Sequence, residues 1–173
     1  MPAIVVTFWV FAGAAVGSAL LCITRRNTVA SALWLVVTLF QLAALFVMLD
    51  AQFLAVLQVL VYAGAIMVLF LFVIMLLNLG PRTPSDLKGP LGFAVGAFLA
   101  AALGLQLFIL MRSAPPAGLS LPAGAMAAAQ QAQGMVGALA RPLFTAYLLP
   151  FEVTSLLLLA AIIGAVVLAK RQL

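Results

Sequence analysis

The sequence has no histidine, a single cysteine (Cys22) and three acidic residues, Asp50, Asp86 and Glu152, among 173. Those shortages exclude most ligand sets at once. Without imidazole there is no axially His-ligated haem and no common zinc site, and one thiol can hold neither an iron–sulfur cluster nor an intrachain disulfide. Cys22 therefore reads as a small apolar residue at a helix end. Charge is also scarce: 6% of residues are charged against 68% apolar, far outside soluble composition. The chain is expected to be a single all-α membrane domain, 1–173, that carries no cofactor or metal, so any redox chemistry must lie on other chains.

The eight basic residues give a formal net charge of +5, yet they stand in ones and twos along the loops. They form no stripe that would track nucleic acid. Loop cations that orient membrane helices account for them better.

What the sequence has in abundance is long apolar runs. Five are long enough to span a bilayer, at about 3–23, 28–49, 52–79, 90–111 and 150–169, with a longer outer loop at 112–149. No positive stretch precedes the first run, and Arg25 and Arg26 follow it, so it reads as a retained span with its N-terminus outside. Gly13 and Gly17, four apart, offer that span a face for close helix approach. Asn27 or Thr28 supplies a cap for the second span. Spans two and three are separated only by the few residues around Asp50, which makes them an antiparallel hairpin and puts Asp50 beside a helix N-terminus. Capping is favoured for that carboxylate over handling protons.

Gly92, Gly96, Ala100 and Gly104 recur every fourth residue in the fourth span and read as a packing seam. The loop that follows is rich in Pro, Ala, Gly and Gln, and AMAAAQQAQGMVGALA within it suits a short helix outside the hydrocarbon core. Pro150 and Glu152 suit the start of the last span. With the N-terminus outside, Arg25, Arg26, Arg82, Lys88, Lys170 and Arg171 are cytoplasmic and Arg112 and Arg141 are not. Six against two follows the positive-inside rule. Trp9 and Trp34 read as lipid or packing anchors.

The third span is the unusual one. FLAVLQVLVYAGAIMVLFLFVIMLLN, residues 53 to 78, would be near ~40 Å long as an α-helix against ~30 Å of hydrocarbon, so it must tilt, protrude or contain an irregular turn. Its polar residues Gln58 and Tyr62 lie where lipid would surround them. On an α-helical wheel Ala51, Ala55, Gln58, Tyr62 and Ala65 share one face, which should therefore look at protein or water. Interhelical hydrogen-bond glue and a place in a proton path are both open for the pair. Gly64 either permits close approach of another helix or loosens the backbone into a π-bulge.

QVLVYAGAIMVLFLFVIMLLNLG, with its VYAGAIMVLF core, and LFTAYLLPFEVTSLLLLAAIIGAVVLAKR closely resemble the third and last helices of the subunit J family of respiratory complex I, the proton-translocating NADH:quinone oxidoreductase. Span number, length and order agree across the chain, while the first helix and the segment 112–141 match only in character. The resemblance implies a multi-pass subunit of the bacterial inner membrane, contacting membrane subunits of the A, H, K and N types. It implies that FMN, iron–sulfur clusters and quinone are held by other subunits. It further implies a third helix with a π-bulge around the YAG segment that gates a hydrated path coupling quinone reduction to proton pumping. By position, Tyr62, Gly64 and Val68 would belong to that bulge and gate. Gln58 stands where some members carry an acid; it cannot titrate, which leaves the ordering of water as its role. Glu152 falls in the family's PFE motif, with a helix-start or subunit-contact role. The competing readings are a purely structural assembly subunit, the related subunit of a cation antiporter or membrane-bound hydrogenase, and a stand-alone transporter. The lack of a midplane acid or base argues against the last.

Overall fold

The computed structural model describes residues 2–77, 90–113 and 124–170. Among them the chain is helical: α1 (Pro2–Thr24), α2 (Thr28–Met48), α3 (Gln52–Leu57), a π-helical segment (Gln58–Ile66), α4 (Met67–Leu76), α5 (Pro90–Arg112), α6 (Ala125–Phe144) and α7 (Leu148–Ala169). Five stretches are long and apolar enough to cross a membrane: α1, α2, the continuous Gln52–Leu76, α5 and α7. The stretch expected to carry the third span past Asn78, with the loop cations Arg82 and Lys88, lies outside the described residues.

The chain divides into two compact units, Met1–Ala123 and Gly124–Leu173. In the first, α2 is the central element, packing against α1 on one side and against α3, the π segment and α4 on the other. Its start is fixed by Asn27, whose side-chain oxygen accepts from Val29 N at 2.9 Å and Ala30 N at 3.2 Å. That satisfies two of the four amides a helix start leaves orphaned.

The α1–α2 seam is built from small and hydroxylated residues. Ala15 and Ser18 are buried on α1 and Thr38 on α2. Ser18 and Thr38 meet across the seam at 2.9 Å, and each also reaches a carbonyl of its own helix, Ala15 and Trp34, at 3.0 Å. A second polar tie joins Cys22 and Ser31: the Ser31 hydroxyl donates to the Cys22 carbonyl, with the thiol 3.6 Å away. Gly13 and Gly17, the pair expected to mark the contact, have nothing within 4 Å of where a Cβ would lie. The contact runs instead along Ala15, Ser18 and Cys22, at spacings of three and four on an adjacent stripe of the helix.

The hairpin at Asp50 is a complete helix stop. Asp50 has φ 57, the left-handed conformation, directly after the cap residue Leu49. Asp50 N donates to Val47 O at 3.1 Å and Ala51 N to Phe46 O at 2.9 Å. Those two bonds are the Schellman pair, with Asp50 at the position usually given to glycine. Asp50 thus ends α2 one residue before Ala51, the N-cap residue of α3.

Gly96 and Gly104 of the expected α5 seam have nothing within 4 Å of where a Cβ would lie, and within the first unit α5 packs on no other helix among the described residues. In the second unit, the expected short helix within the 112–149 loop extends over all of Ala125–Phe144, broken at Gly134 (φ 75, ψ 162), where only glycine sits without strain. α7 begins at Leu148, two residues before the expected start. Pro150 becomes its third residue, which is allowed because amides in the first turn have no intrahelical acceptor. Glu152 consequently lies past the first turn, exposed, with its carbonyl accepting from the Ser155 hydroxyl at 2.7 Å.

Candidate functional site

The third span is long, as expected, and it is irregular over nine residues, Gln58–Ile66. At its end the Met67 amide donates to the Tyr62 carbonyl, five residues back, where an α-helix would reach four. Gln58, Tyr62 and Gly64 all lie within this segment; Val68 lies two residues beyond it, in α4. A Cβ on Gly64 would stand 3.2 Å from the Val59 carbonyl, again five residues back, and would meet no other helix among the described residues.

The π segment decides which face meets α2. In an unbroken α-helix Tyr62, seven residues after Ala55, lands about 20° from it, and Ala63 lands about 80° away. The burial is reversed: Ala55 and Ala63 are each 5% exposed, while Tyr62 is 52% exposed. Met67 and Ile74, at 6% and 9%, continue the same seam and cluster with Ala32 of α2. Uniform α geometry would put them about 120° and 100° from Ala55. By absorbing about one residue, the π segment brings Ala63, Met67 and Ile74 within about 20° of Ala55's face.

This corrects the wheel that grouped Ala51, Ala55, Gln58, Tyr62 and Ala65. Ala55 is buried and Ala51 and Gln58 are half-buried, but Tyr62 and Ala65 are exposed, rotated off the seam by the wider π turn. Among the described residues neither the Gln58 amide nor the Tyr62 hydroxyl has a hydrogen-bond partner. Groups of this kind at membrane depth require water or another chain.

Two apolar clefts flank the α2–α4 seam. One, about 300 Å³, is lined by Val29 and Leu33 of α2 and by Val68, Leu71, Phe72 and Met75. The other, about 330 Å³, lies between Cys22, Ser31 and Leu35 on one side and Phe70, Val73 and Leu77 on the other. α4 therefore touches α2 along a narrow line with space on either side.

A five-span chain with this interrupted third helix matches the family model described as NADH-ubiquinone/plastoquinone oxidoreductase chain 6 over residues 18–168. The chain belongs to that family. NADH-quinone oxidoreductase subunit J of Pseudomonas aeruginosa is 36% identical over 167 residues, spanning 95% of this chain and 96% of the relative. The Rhodobacter capsulatus subunit J is 34% identical over 176 residues, 99% of this chain and 84% of the relative. NAD(P)H-quinone oxidoreductase chain 6 of Leptolyngbya boryana is 34% identical over 168 residues, 97% and 80% respectively. As a member of the family the chain is a membrane subunit of an NADH-quinone oxidoreductase.

Proposed function

We propose that the third span is a conformational coupling element of the oxidoreductase, working by conversion between π and α geometry at Gln58–Ile66. The observation that carries this is the register: one absorbed residue decides whether Ala63, Met67 and Ile74 or a face about 100° away meets α2. The clefts beside the seam give α4 room to turn, and Val68 lines one of them. Conversion would carry the unpartnered Tyr62 hydroxyl toward the Ala55 face, moving a polar group between two surroundings. That is a switch for a water path, with Gln58 ordering water beside it and no proton held on this chain. Flavin, iron–sulfur clusters and quinone belong to other subunits, and the subunits around this chain, of the A, H, K and N types, supply the surfaces for Tyr62. The chain sits in a bacterial inner membrane with its N-terminus outside, in keeping with its loop cations.

A purely structural role is the second reading, and α5, which packs on no other described helix of its own unit and has open space at Gly96 and Gly104, favours it. Tyr62→Phe, Gly64→Val and Val68→Phe complexes separate the two. Coupling predicts a full complement of assembled complex with proton pumping lowered at least about tenfold, whereas assembly loss in step with activity supports the structural role. Normal pumping in all three variants removes the coupling proposal.

A further inference from the structure

The turn joining α6 to α7 gathers polar groups for which the coupling role has no use. A cleft of about 400 Å³ opens there, lined by Gln133, Ala138, Arg141, Pro142 and Thr145. The Arg141 guanidinium has no hydrogen-bond or ion-pair partner among the described residues; only its backbone carbonyl is engaged, by the Thr145 hydroxyl at 2.8 Å. The Thr145 oxygen keeps its capacity to accept, and the Gln133 amide adds donors.

The depth of this cleft follows from the chain itself. Thr145 is three residues before Leu148, where the membrane-spanning α7 begins. Phe144 and Tyr147, 59% and 61% exposed, bracket it in the way aromatic residues mark a membrane–water boundary. Phe144 also packs edge-on against Phe151 of α7, with centroids 5.0 Å apart, which holds the end of α6 at the mouth of that span. α6 is not among the helices suited to cross the bilayer. An unpaired guanidinium, a hydroxyl and an amide therefore converge at headgroup level, beside aromatic surface that suits the adjoining glycerol and acyl region.

We propose that this cleft binds the headgroup of an anionic phospholipid, with Arg141 supplying the charge, Arg141 and Gln133 donating hydrogen bonds to the phosphate and the Thr145 oxygen accepting from a headgroup hydroxyl. The proposal rests on α7 spanning a bilayer and is independent of coupling through the third span. The test uses the complete complex in phosphatidylcholine vesicles that contain a minor fraction of phosphatidylglycerol with a photoactivatable headgroup. Cross-linked peptides are mapped by mass spectrometry. Label is expected within residues 129–146, to resist excess inorganic phosphate, to fall about fivefold in Arg141→Gln and to persist in Arg141→Lys. Thr145→Val and Gln133→Leu keep the charge and serve if Arg141→Gln does not assemble; each should lower labelling about twofold or more. Displacement by inorganic phosphate would mean a free-anion site and overturn the lipid assignment. So would labelling unchanged in these variants, or cross-linking of this segment to a neighbouring subunit in place of lipid.

Discussion

Deleting Val61 tests the register argument directly. Val61 is an apolar residue, 37% exposed, inside the π segment, and its removal leaves Gln58, Tyr62 and Gly64 in the chain. With one residue fewer, a uniform α-helix puts Ala63, Met67 and Ile74 at about −20°, +20° and 0° from Ala55. The seam against α2 is then kept without a π turn, and the span, about 36 Å, still exceeds the ~30 Å hydrocarbon thickness. The deletion should assemble like the parent but be held in one geometry. Deleting Leu69, which is 67% exposed but lies in regular α4, is the control. There no slack exists, so residues 70 onward rotate by about 100° and Ile74 leaves the seam, forfeiting packing of the order of an Ile→Ala change, roughly 2–5 kcal/mol. The assays are the amount of assembled complex on native gels and NADH-driven proton uptake by inverted membrane vesicles. The expectation is normal assembly with abolished pumping for the Val61 deletion and failed assembly for the Leu69 deletion. Equal assembly defects would refute the register argument, and a Val61 deletion that pumps normally would refute its role in coupling.

Two further outcomes follow from the first unit. Ser18 and Thr38 have two hydroxyl protons for three contacts, so one proton at a time bridges α1 and α2; Ser18→Ala and Thr38→Val should each cost about 0.6–1.7 kcal/mol of thermal stability, and the double variant little more than either, with additive losses counting against a shared bond. Asp50 in the left-handed region predicts that Asp50→Val lowers thermal stability by about 1–2 kcal/mol relative to Asp50→Asn, which shares the tolerance for that conformation, and that Asp50→Asn keeps proton pumping; loss of pumping in the Asn variant would reassign Asp50 to proton handling.

The number of spans was legible because each is an apolar run of about 20 residues or more ended by Pro, Gly, Asn, paired cations or, between the second and third, the lone charge of Asp50, and those signals act locally. The Asp50 hairpin was legible for the same reason. Its form was not, because Asp50 acts through its backbone conformation in a Schellman stop, which no side-chain pattern announces. α7 starts two residues before Pro150 because proline, though favoured at the first helical position, is also tolerated at the third, where its missing amide would have no intrahelical acceptor.

The site shows a deeper limit. In a soluble helix the buried face is written as a hydrophobic stripe, but this span is apolar on every side because its other surroundings are lipid and neighbouring subunits, so periodicity carries almost no information about which side meets α2. The remaining signal is residue size. Ala55 and Ala63, eight apart, are the small residues on the seam, and eight residues fall about 80° out of step in an α-helix. Ala55 and Ala63 can share a seam only if the helix between them widens, and the excess length of the span said that some irregular turn was needed. Taken together, those two facts locate the irregularity between Ala55 and Ala63, the interval in which the π segment begins. Gln58 and Tyr62, which have no hydrogen-bond partner among the described residues, lie in that same interval. A wide turn that presents the Tyr62 hydroxyl away from the chain's own packing seam is poorly suited to a helix whose only task is to fill space. It suits one whose polar side is completed by its neighbours and whose register can be set by them.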